Sequence, residues 1–413
     1  MAARIIGRIY FAIQINYPVR KIDLTNFQRA TSGTAREINR RIALSFIRRH
    51  SPLSRADLAR SSGLQPSTVS AIIDELIGEG WVTEGIGRAP RGRRPRLLHL
   101  NVERAGIIAV DLRPETTTVG LAGMDARFVD QGSWRTPQDP ETWADAVTRT
   151  VRGFRSAHPR VLCEGVGVSL PGRADAEGRL IFAPNLRWGH VNIRTLLEQR
   201  LELPAAVENA ANACALAELW FGRHAEHVRN LIAVTISEGI GVGLLMNGQL
   251  VRGGDARAGE FGHVTLDENG PRCPCGKRGC WERYASNSAA LATYRDSVAA
   301  AGWKAPPFTF EQLVRLAHEG DRHALTAIDS MATHLAMGLA GLITGLSPEI
   351  VVIIGEITAA WDRVGPIVAD VVKRRALPPL ATRIIPADVA IQPRLRGAAT
   401  LVVQQHFGAP VVA

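Results

Sequence analysis

Apolar residues recur at helical spacing in three short segments near the start of the chain. From Arg36 onward they alternate with charged residues, which predicts an amphipathic helix. A second helix is predicted to follow Ser54, which forms a capping-box pattern with Asp57, and to end at Gly63. A third begins at Pro66, because a missing N–H is harmless in a first helical turn. Its predicted buried face comprises Val69, Ile72, Ile73, Leu76 and Ile77.

Two short strands with an arginine-rich loop between them are predicted after the third helix, over residues 81–84 and 97–100. A helix pair joined by a tight glycine-containing turn, then strand, loop and strand, is typical of a winged helix-turn-helix. We assign residues 35–104 to this domain; a three-helix protein-interaction module with a basic hairpin is the alternative. The candidate DNA-contacting residues are Gln65, Pro66, Ser67, Thr68 and Ser70 on the third helix, and Arg88, Arg91, Arg93 and Arg94 in the loop.

The distribution of charge favours nucleic acid as the partner of this head. Residues 1–104 contain 18 Lys and Arg against 8 Asp and Glu, an excess of 10 that equals the net charge of the 413-residue chain, +10. A basic segment on a neutral body is the electrostatic pattern of a DNA-binding head, and a solvated basic surface is the alternative. Residues 1–34 show no sustained period, and we assign them only as an irregular N-terminal arm.

Residues 105–413 contain two segments that look alike. Residues 107–113 lead to residues 117–123, and residues 231–237 lead to residues 243–248. Each pattern predicts a buried strand, a turn and a returning strand, with helical stretches later in the chain. The repetition predicts two related α/β lobes, and a small ligand is expected to bind in the cleft between them.

The composition narrows the class of protein further. Hydrophobic residues make up 46% and charged residues 21% of the chain, which is typical of a soluble globular protein. No run approaches the roughly 18 uninterrupted apolar residues of a membrane span, so we expect a cytoplasmic protein with no membrane partner. Cys273, Cys275 and Cys280 fall within eight positions, which indicates a metal site rather than a disulfide scaffold.

One segment carries a specific resemblance. It runs Glu260-Phe261-Gly262-His263, then Cys273-Pro274-Cys275-Gly276-Lys277-Arg278-Gly279-Cys280-Trp281-Glu282. From about Arg36 to its C-terminus the chain resembles the ROK family, which unites bacterial sugar repressors with sugar kinases, and within it the xylose-repressor-type regulators. The resemblance implies an actin-like (ribonuclease H-like, sugar-kinase-type) body of two α/β lobes, a structural zinc and a sugar site between the lobes.

The chemistry of the segment agrees with that implication. Three thiolates and one imidazole are the ligand set of a closed tetrahedral zinc site, so we predict that Zn²⁺ is bound by His263, Cys273, Cys275 and Cys280. Buried or redox-active cysteines with an unrelated histidine are the alternative.

The resemblance also implies which residues contact a sugar. By position in the family motifs these are Asn209, Glu260, His263 and Glu282, with Gly172 and Asn185 from weaker motifs. Carboxylates and imidazoles accept hydrogen bonds from sugar hydroxyl groups. A wrong sugar that leaves some of these buried groups unpaired binds less tightly. For any one of these residues, a merely structural role is equally compatible with the sequence.

Kinase activity is not expected. Family kinases carry an aspartate as general base directly after the asparagine, whereas this chain has Ala210, which cannot accept a proton. The first phosphate loop reads Asp111-Leu112-Arg113-Pro114 in place of glycines, and Glu356 interrupts a later nucleotide-contacting glycine run.

These observations predict a transcriptional regulator, most simply a repressor of carbohydrate metabolism, that binds a double-stranded operator. A monosaccharide or small oligosaccharide is the expected effector, and a homodimer or homotetramer is the expected assembly. Two alternatives stay open: an active ROK sugar kinase with an added DNA-binding head, and a regulator whose body binds a protein partner.

Overall fold

The computed structural model describes residues 32–86, 96–101, 105–183, 185–186, 188–222, 228–303 and 308–407. They form an N-terminal head and a body of two α/β lobes. The predicted arm lies outside the described residues except for its last three positions. Those residues, 32–34, form the start of a helix rather than irregular structure.

The head consists of three helices and a three-stranded sheet. In chain order these are α1 (Ser32–His50), β1 (Leu53–Ser54), α2 (Arg55–Ser62), α3 (Pro66–Gly78), β2 (Val82–Ile86) and β3 (Arg96–Leu100). The predicted capping box is confirmed, since the Ser54 and Asp57 side chains each bond the other's backbone N–H. Gly63 ends α2 in the left-handed conformation, with φ of +71°. The sheet has the strand order β1-β3-β2, and the antiparallel neighbours β2 and β3 are the two strands of the wing.

The elements of the first lobe of the body are β4 (Ala105–Leu112), β5 (Thr116–Gly123), β6 (Phe128–Arg135), α4 (Pro140–Ala157), β7 (Leu162–Leu170), β8 (Arg173–Ala174), β9 (Leu180–Phe182), α5 (Ile193–Leu201) and β10 (Ala205–Asn209). They include a five-stranded sheet of order β10-β7-β4-β5-β6, in which β4 pairs antiparallel with β5 and parallel with β7. Strand β4 is buried along its whole length, as its continuous apolar run predicts.

The elements of the second lobe are α6 (Ala210–Phe221), which crosses from the first lobe, β11 (Leu231–Ile236), β12 (Ile240–Met246), β13 (Gln249–Leu250), α7 (Glu282–Ala285), α8 (Asn287–Ala300), α9 (Phe310–His318), α10 (Arg322–Leu346), β14 (Ile350–Ile354), α11 (Trp361–Arg375) and β15 (Arg383–Pro386). This lobe repeats the pattern of the first, with strand order β13-β12-β11-β14-β15 and one antiparallel and one parallel neighbour for β11. Short 3₁₀ turns cover Gly254–Ala256, Glu260–His263, Glu356–Ala360 and Val389–Ile391. The equivalent strand patterns confirm the two related lobes.

Helix α10 is long and apolar enough to cross a membrane by length and composition, and within the described residues it is the one helix of that kind. More than half of its apolar window is buried inside the fold, where Leu335, Ala336 and Leu339 are fully covered. A core helix of a water-soluble protein satisfies the same criteria, so the helix is weak evidence for a membrane.

The last helix, α12 (Pro393–Phe407), returns to the first lobe and packs on β4 and β7. Its C-terminal end contacts the head: the Trp81 ring lies 5.0 Å from that of His406 and 6.1 Å from that of Phe407. Apolar residues of the head and of this face form one continuous core. Burial, and then the positive charges of Arg40 and Arg41, lowers the pKa of His406 below its usual value of 6.5.

Candidate functional site

A cleft opens between the two lobes where β10 passes into α6. Its empty volume is about 1040 Å³, counted to its open mouth. The six residues predicted to contact a sugar all line it: Gly172, Asn185, Asn209, Glu260, His263 and Glu282. The structure therefore brings together positions up to 110 residues apart, since Gly172 and Glu282 share one cavity.

Asn209 lies at the start of α6 and holds the first turn of that helix. Its Oδ1 accepts hydrogen bonds from the backbone N–H groups of Ala211 and Asn212, at 2.8 and 3.4 Å. Its Nδ2 donates to the Gly172 carbonyl at 2.5 Å. Gly172 has φ of +85°, and a Cβ there would lie 2.0 Å from the Phe182 carbonyl oxygen, so glycine is required for this approach.

On the opposite wall, His263 stands between two carboxylates. Its Nε2 lies 3.8 Å from Glu260 Oε2, and its Nδ1 lies 3.4 Å from Glu282 Oε1. Glu260 and Glu282 both line the cleft, and Glu282 is the first residue of α7. The arrangement offers several oxygen and nitrogen acceptors to a ligand rich in hydroxyl groups.

Behind this wall lies a cluster of three thiols and one imidazole. The ligand atoms of His263, Cys273, Cys275 and Cys280 all lie within 4.8 Å of one another. Cys275 Sγ is 3.6 Å from Cys280 Sγ, and Cys273 Sγ is 3.6 Å from His263 Nδ1. Tetrahedral zinc with thiolates at about 2.3 Å requires sulfur atoms about 3.8 Å apart, so the donor set and its spacing fit a metal ion.

A network of charged groups lines a second cavity beside the cleft, which shares Thr235, Ser237, Glu238 and Arg394 with it. Arg113 Nε donates to Asp111 Oδ2 at 2.9 Å, and Arg113 Nη1 donates to Glu356 Oε1 at 3.0 Å. Arg394 Nε donates to Asp111 Oδ1 at 2.9 Å. Burial opposes ionisation of Asp111, but the charges of Arg394 and Arg113 hold the pKa of this carboxyl below its usual value. Asn287 Nδ2 completes the network by donating to Glu356 Oε2 at 2.9 Å.

In the head, the start of α3 presents the polar residues that the sequence singled out. Gln65, Pro66 and Ser67 are exposed, and Thr68 and Ser70 are half-buried, whereas Val69 between them belongs to the core. The described arginines near α3 are paired within the head, since Arg55 contacts Asp74 and Glu84. The predicted wing residues Arg88, Arg91, Arg93 and Arg94 lie outside the described residues.

Known proteins match both parts of the chain. A model of the ROK family matches residues 107–405, and a model of the MarR family matches residues 42–84. The chain belongs to the ROK family. It is 30% identical to the xylose repressor of Bacillus spizizenii over 90% of this chain and 96% of that protein. It is 26% identical to the DNA-binding transcriptional dual regulator NagC of Escherichia coli over 84% of this chain and 88% of NagC.

Solved structures support the same fold. A ROK family transcriptional regulator described as a homolog of the E. coli MLC protein superposes with a TM-score of 0.79, covering 91% of this chain and 98% of its own, at 23% identity. A ROK family glucokinase from Streptomyces griseus, in complex with glucose and AMPPNP, covers 72% of this chain and 98% of its own, with a TM-score of 0.66 and 27% identity. The predicted fold class, a winged helix-turn-helix followed by a two-lobed kinase-like body, is confirmed.

Within this ROK chain, the positions expected to depart from the kinase pattern lie in two neighbouring cavities. Ala210 and Pro114 line the cleft, whereas Arg113 and Glu356 line the cavity beside it and contact each other directly. In the sequence, Arg113 and Glu356 are two unrelated replacements of family glycines. In the structure, the two side chains form an ion pair between the lobes. Sequence reasoning missed Arg394 and Asn287, which complete the network; isolated polar residues on helices carry no local signal of such a contact.

Proposed function

We propose that this ROK protein is a transcriptional repressor whose operator binding is controlled by a sugar bound between the lobes of its body. The observation that carries the proposal is the convergence of Asn209, Glu260, His263 and Glu282 in one cleft of a chain that also presents the exposed polar start of α3. The similarity to proteins named xylose repressor and to NagC supports it. Because xylose appears in the names of relatives 30% to 32% identical to this chain, D-xylose is the first sugar to test.

The sugar is held by opposite walls of the cleft. Asn209 contributes an amide from the first lobe, and Glu260, His263 and Glu282 contribute acceptors from the second. Gly172 and Asn185 line the same wall as Asn209. A sugar that bridges the walls favours the closed arrangement of the lobes, because it contacts both walls only when they are near each other.

A structural zinc ion held by His263 and the three cysteines supports the second wall. If Nδ1 of His263 binds the metal, the ring direction and tautomer are fixed and Nε2 faces Glu260 and the ligand. Zinc supplies no chemistry here beyond holding these ligands. The peptide from Cys280 through Trp281 then fixes the position of Glu282, two residues from a metal ligand.

The body does not transfer phosphate. No carboxylate occupies the position of Ala210, so a sugar hydroxyl lacks the base that contributes about a hundredfold to ten-thousandfold in rate. The ion pair of Arg113 and Glu356 occupies positions at which family kinases have phosphate-binding glycines. Pro114, next to Arg113, has no backbone N–H to donate to a phosphate. The alternative is a kinase with a DNA-binding head, favoured by the likeness to the glucokinase structure.

In the head, α3 enters the major groove of operator DNA with its first residues on base edges, and the wing arginines contact the backbone. A homodimer or homotetramer matches the two-fold symmetry that operators usually have. A cytoplasmic location agrees with relatives that are transcriptional regulators.

Three measurements test the proposal. Operator fragments selected from random DNA are titrated with the full-length protein, with and without D-xylose and a panel of other monosaccharides, while a thermal-shift series reports binding of each sugar. We expect one sugar to raise the melting temperature and to change operator affinity. A coupled assay of ATP consumption over the same panel should stay at background, also in an Ala210→Asp variant, and sustained turnover by the unmodified protein would establish the kinase alternative.

A further inference from the structure

Two adjacent helices run from the sugar cleft to the DNA-binding head. Helix α6 begins beside Asn209 in the cleft and ends at Trp220 and Phe221, which contact α1 of the head. Helix α12 begins near Arg394 at the inner end of the cleft and ends at Phe407 beside Trp81. At 1.5 Å per residue, the 12 residues of α6 span roughly 18 Å.

The two helices are locked to each other and to the sheet. A Cβ on Gly397 of α12 would lie 2.8 Å from the Ala213 carbonyl carbon of α6. A Cβ on Gly167 of β7 would lie 1.8 Å from the Ala398 carbonyl oxygen of α12. Backbones that approach this closely leave no room for independent sliding, so a displacement of one helix moves the other.

At the cleft, the group expected to contact sugar is also the cap of α6. Asn209 Oδ1 accepts from two backbone N–H groups of the first turn, and Nδ2 donates to the Gly172 carbonyl. A ligand that competes for this amide, or that reorients it, changes the hydrogen bonds that position the start of α6.

At the head, the end of α6 meets the cationic side chain of Arg48. Its guanidinium carbon lies 4.7 Å from the centre of the Trp220 ring and 5.4 Å from that of the Phe221 ring. Arg48 Nη1 also donates to the Trp220 carbonyl at 3.2 Å. Arg396 of α12 contacts the same aromatic ring, since its guanidinium carbon lies 5.0 Å from the Phe221 ring centre.

This contact of Arg48 with Trp220 and Phe221, which we call the joint, is half-buried and leaves one N–H of the guanidinium unpaired. Arg48 Nε is buried and has no hydrogen-bond partner among the described residues. Burial, and then the neighbouring charge of Arg49, lowers the pKa of Arg48 to about 10. A half-buried guanidinium held by ring faces and one carbonyl, with one buried N–H unpaired, keeps part of its desolvation cost, so a movement of α6 that opens this contact returns the charge to solvent.

We propose that Arg48 is the positioning residue through which the sugar cleft controls the head. Its contact with Trp220 and Phe221 at the end of α6 sets the orientation of α1, and sugar binding at Asn209 alters that contact. The inference rests on the proposed function, whose regulatory route it specifies. Arg48 acts here through the body and need not contact DNA.

The experiment compares Arg48→Gln with Arg49→Gln in the full-length protein. Arg49 is exposed and adjacent in sequence, so both variants lose one positive charge from α1 but only the first breaks the joint. For each protein, operator affinity is measured without and with saturating D-xylose, together with the D-xylose dissociation constant in the absence of DNA. We expect the sugar to change operator affinity at least about fivefold in the wild type and in Arg49→Gln, and less than about twofold in Arg48→Gln. The D-xylose dissociation constant of Arg48→Gln should stay within about threefold of that of Arg49→Gln.

A second variant, Phe221→Leu, tests the joint from the body side and keeps the test decisive if Arg48→Gln folds poorly. It should reduce the sugar effect in the same direction, and the double variant should lose no more than either single variant, because both remove one contact. Full sugar response in a folded Arg48→Gln or Phe221→Leu protein overturns the inference and leaves the proposed function intact. A wild-type protein whose operator affinity no sugar changes overturns the proposed function itself.

Discussion

Two glycines on helix α10 offer a paired test of how the body positions the sugar site. A Cβ at Gly338 would lie 2.1 Å from Cε2 of the Trp281 indole. Trp281 cannot move aside easily, because it is 1% exposed and its Nε1 donates to the His334 carbonyl at 2.8 Å. A Cβ at Gly341, one turn further along the same helix, meets no atom within 4 Å.

The two alanine substitutions should therefore have opposite effects on the free energy of unfolding. In a helix interior, Gly→Ala adds about 0.5–1 kcal/mol of stability, which Gly341→Ala should show. Gly338→Ala gains the same amount but loses about 1–3 kcal/mol to overpacking, so it should be about 1–3 kcal/mol less stable than Gly341→Ala. At about 2–4 °C per kcal/mol for a domain of this size, the melting temperatures should differ by several degrees.

The functional consequence follows from the position of Trp281 between Cys280 and Glu282. A displaced indole shifts the last cysteine of the metal cluster and the carboxylate of the cleft together, so Gly338→Ala should also lower the sugar-induced thermal shift. Differential scanning calorimetry, metal content and sugar thermal shift are measured on both variants. If Gly338→Ala melts together with Gly341→Ala and responds equally to sugar, the claim that Trp281 packing positions this wall is wrong.

Three further predictions concern the wing, the metal and pH. Arg93→Ala and Arg94→Ala should weaken binding to all DNA and flatten its salt dependence, whereas Gln65→Ala should mainly blur sequence preference; an unchanged salt slope in the arginine variants would contradict the wing assignment. Cys275→Ala should lose metal, as measured by mass spectrometry, and abolish the sugar-induced thermal shift, and unchanged sugar affinity in the metal-free protein would show that metal does not organise the site. The pKa of His406 is lower in the folded protein than in the unfolded chain, so the unfolded chain binds a proton more readily. The free energy of unfolding therefore keeps the contribution of the neutral imidazole above pH 6.5 and loses it as pH falls below that value. Between pH 7.5 and pH 5 the melting temperature of the wild type should fall more steeply than that of His406→Phe. Equal slopes of melting temperature against pH for the two proteins would refute this account.

Local signals in the sequence determined much of the head and the strand pattern of the body. The capping pair Ser54 and Asp57, the left-handed Gly63 and the first-turn Pro66 act within a few residues of themselves, so their consequences could be predicted without the rest of the chain. The buried runs of β4 and β11 are likewise continuous in sequence. The close spacing of the three cysteines indicated a metal site for the same reason.

Contacts between distant segments were decided by the tertiary structure alone. Arg113 and Glu356 are separated by 243 positions, and Arg48 and Trp220 by 172, so nothing near either residue in the sequence specifies its partner. The dual position of Asn209, as helix cap and cleft residue, also depends on how β10 and α6 are packed between the lobes. Such pairings follow from the packing of whole elements, which bury apolar faces first and thereby fix which polar side chains meet. The sequence thus determined which elements form and which chemistry they carry, and the packing of those elements determined which residues act together.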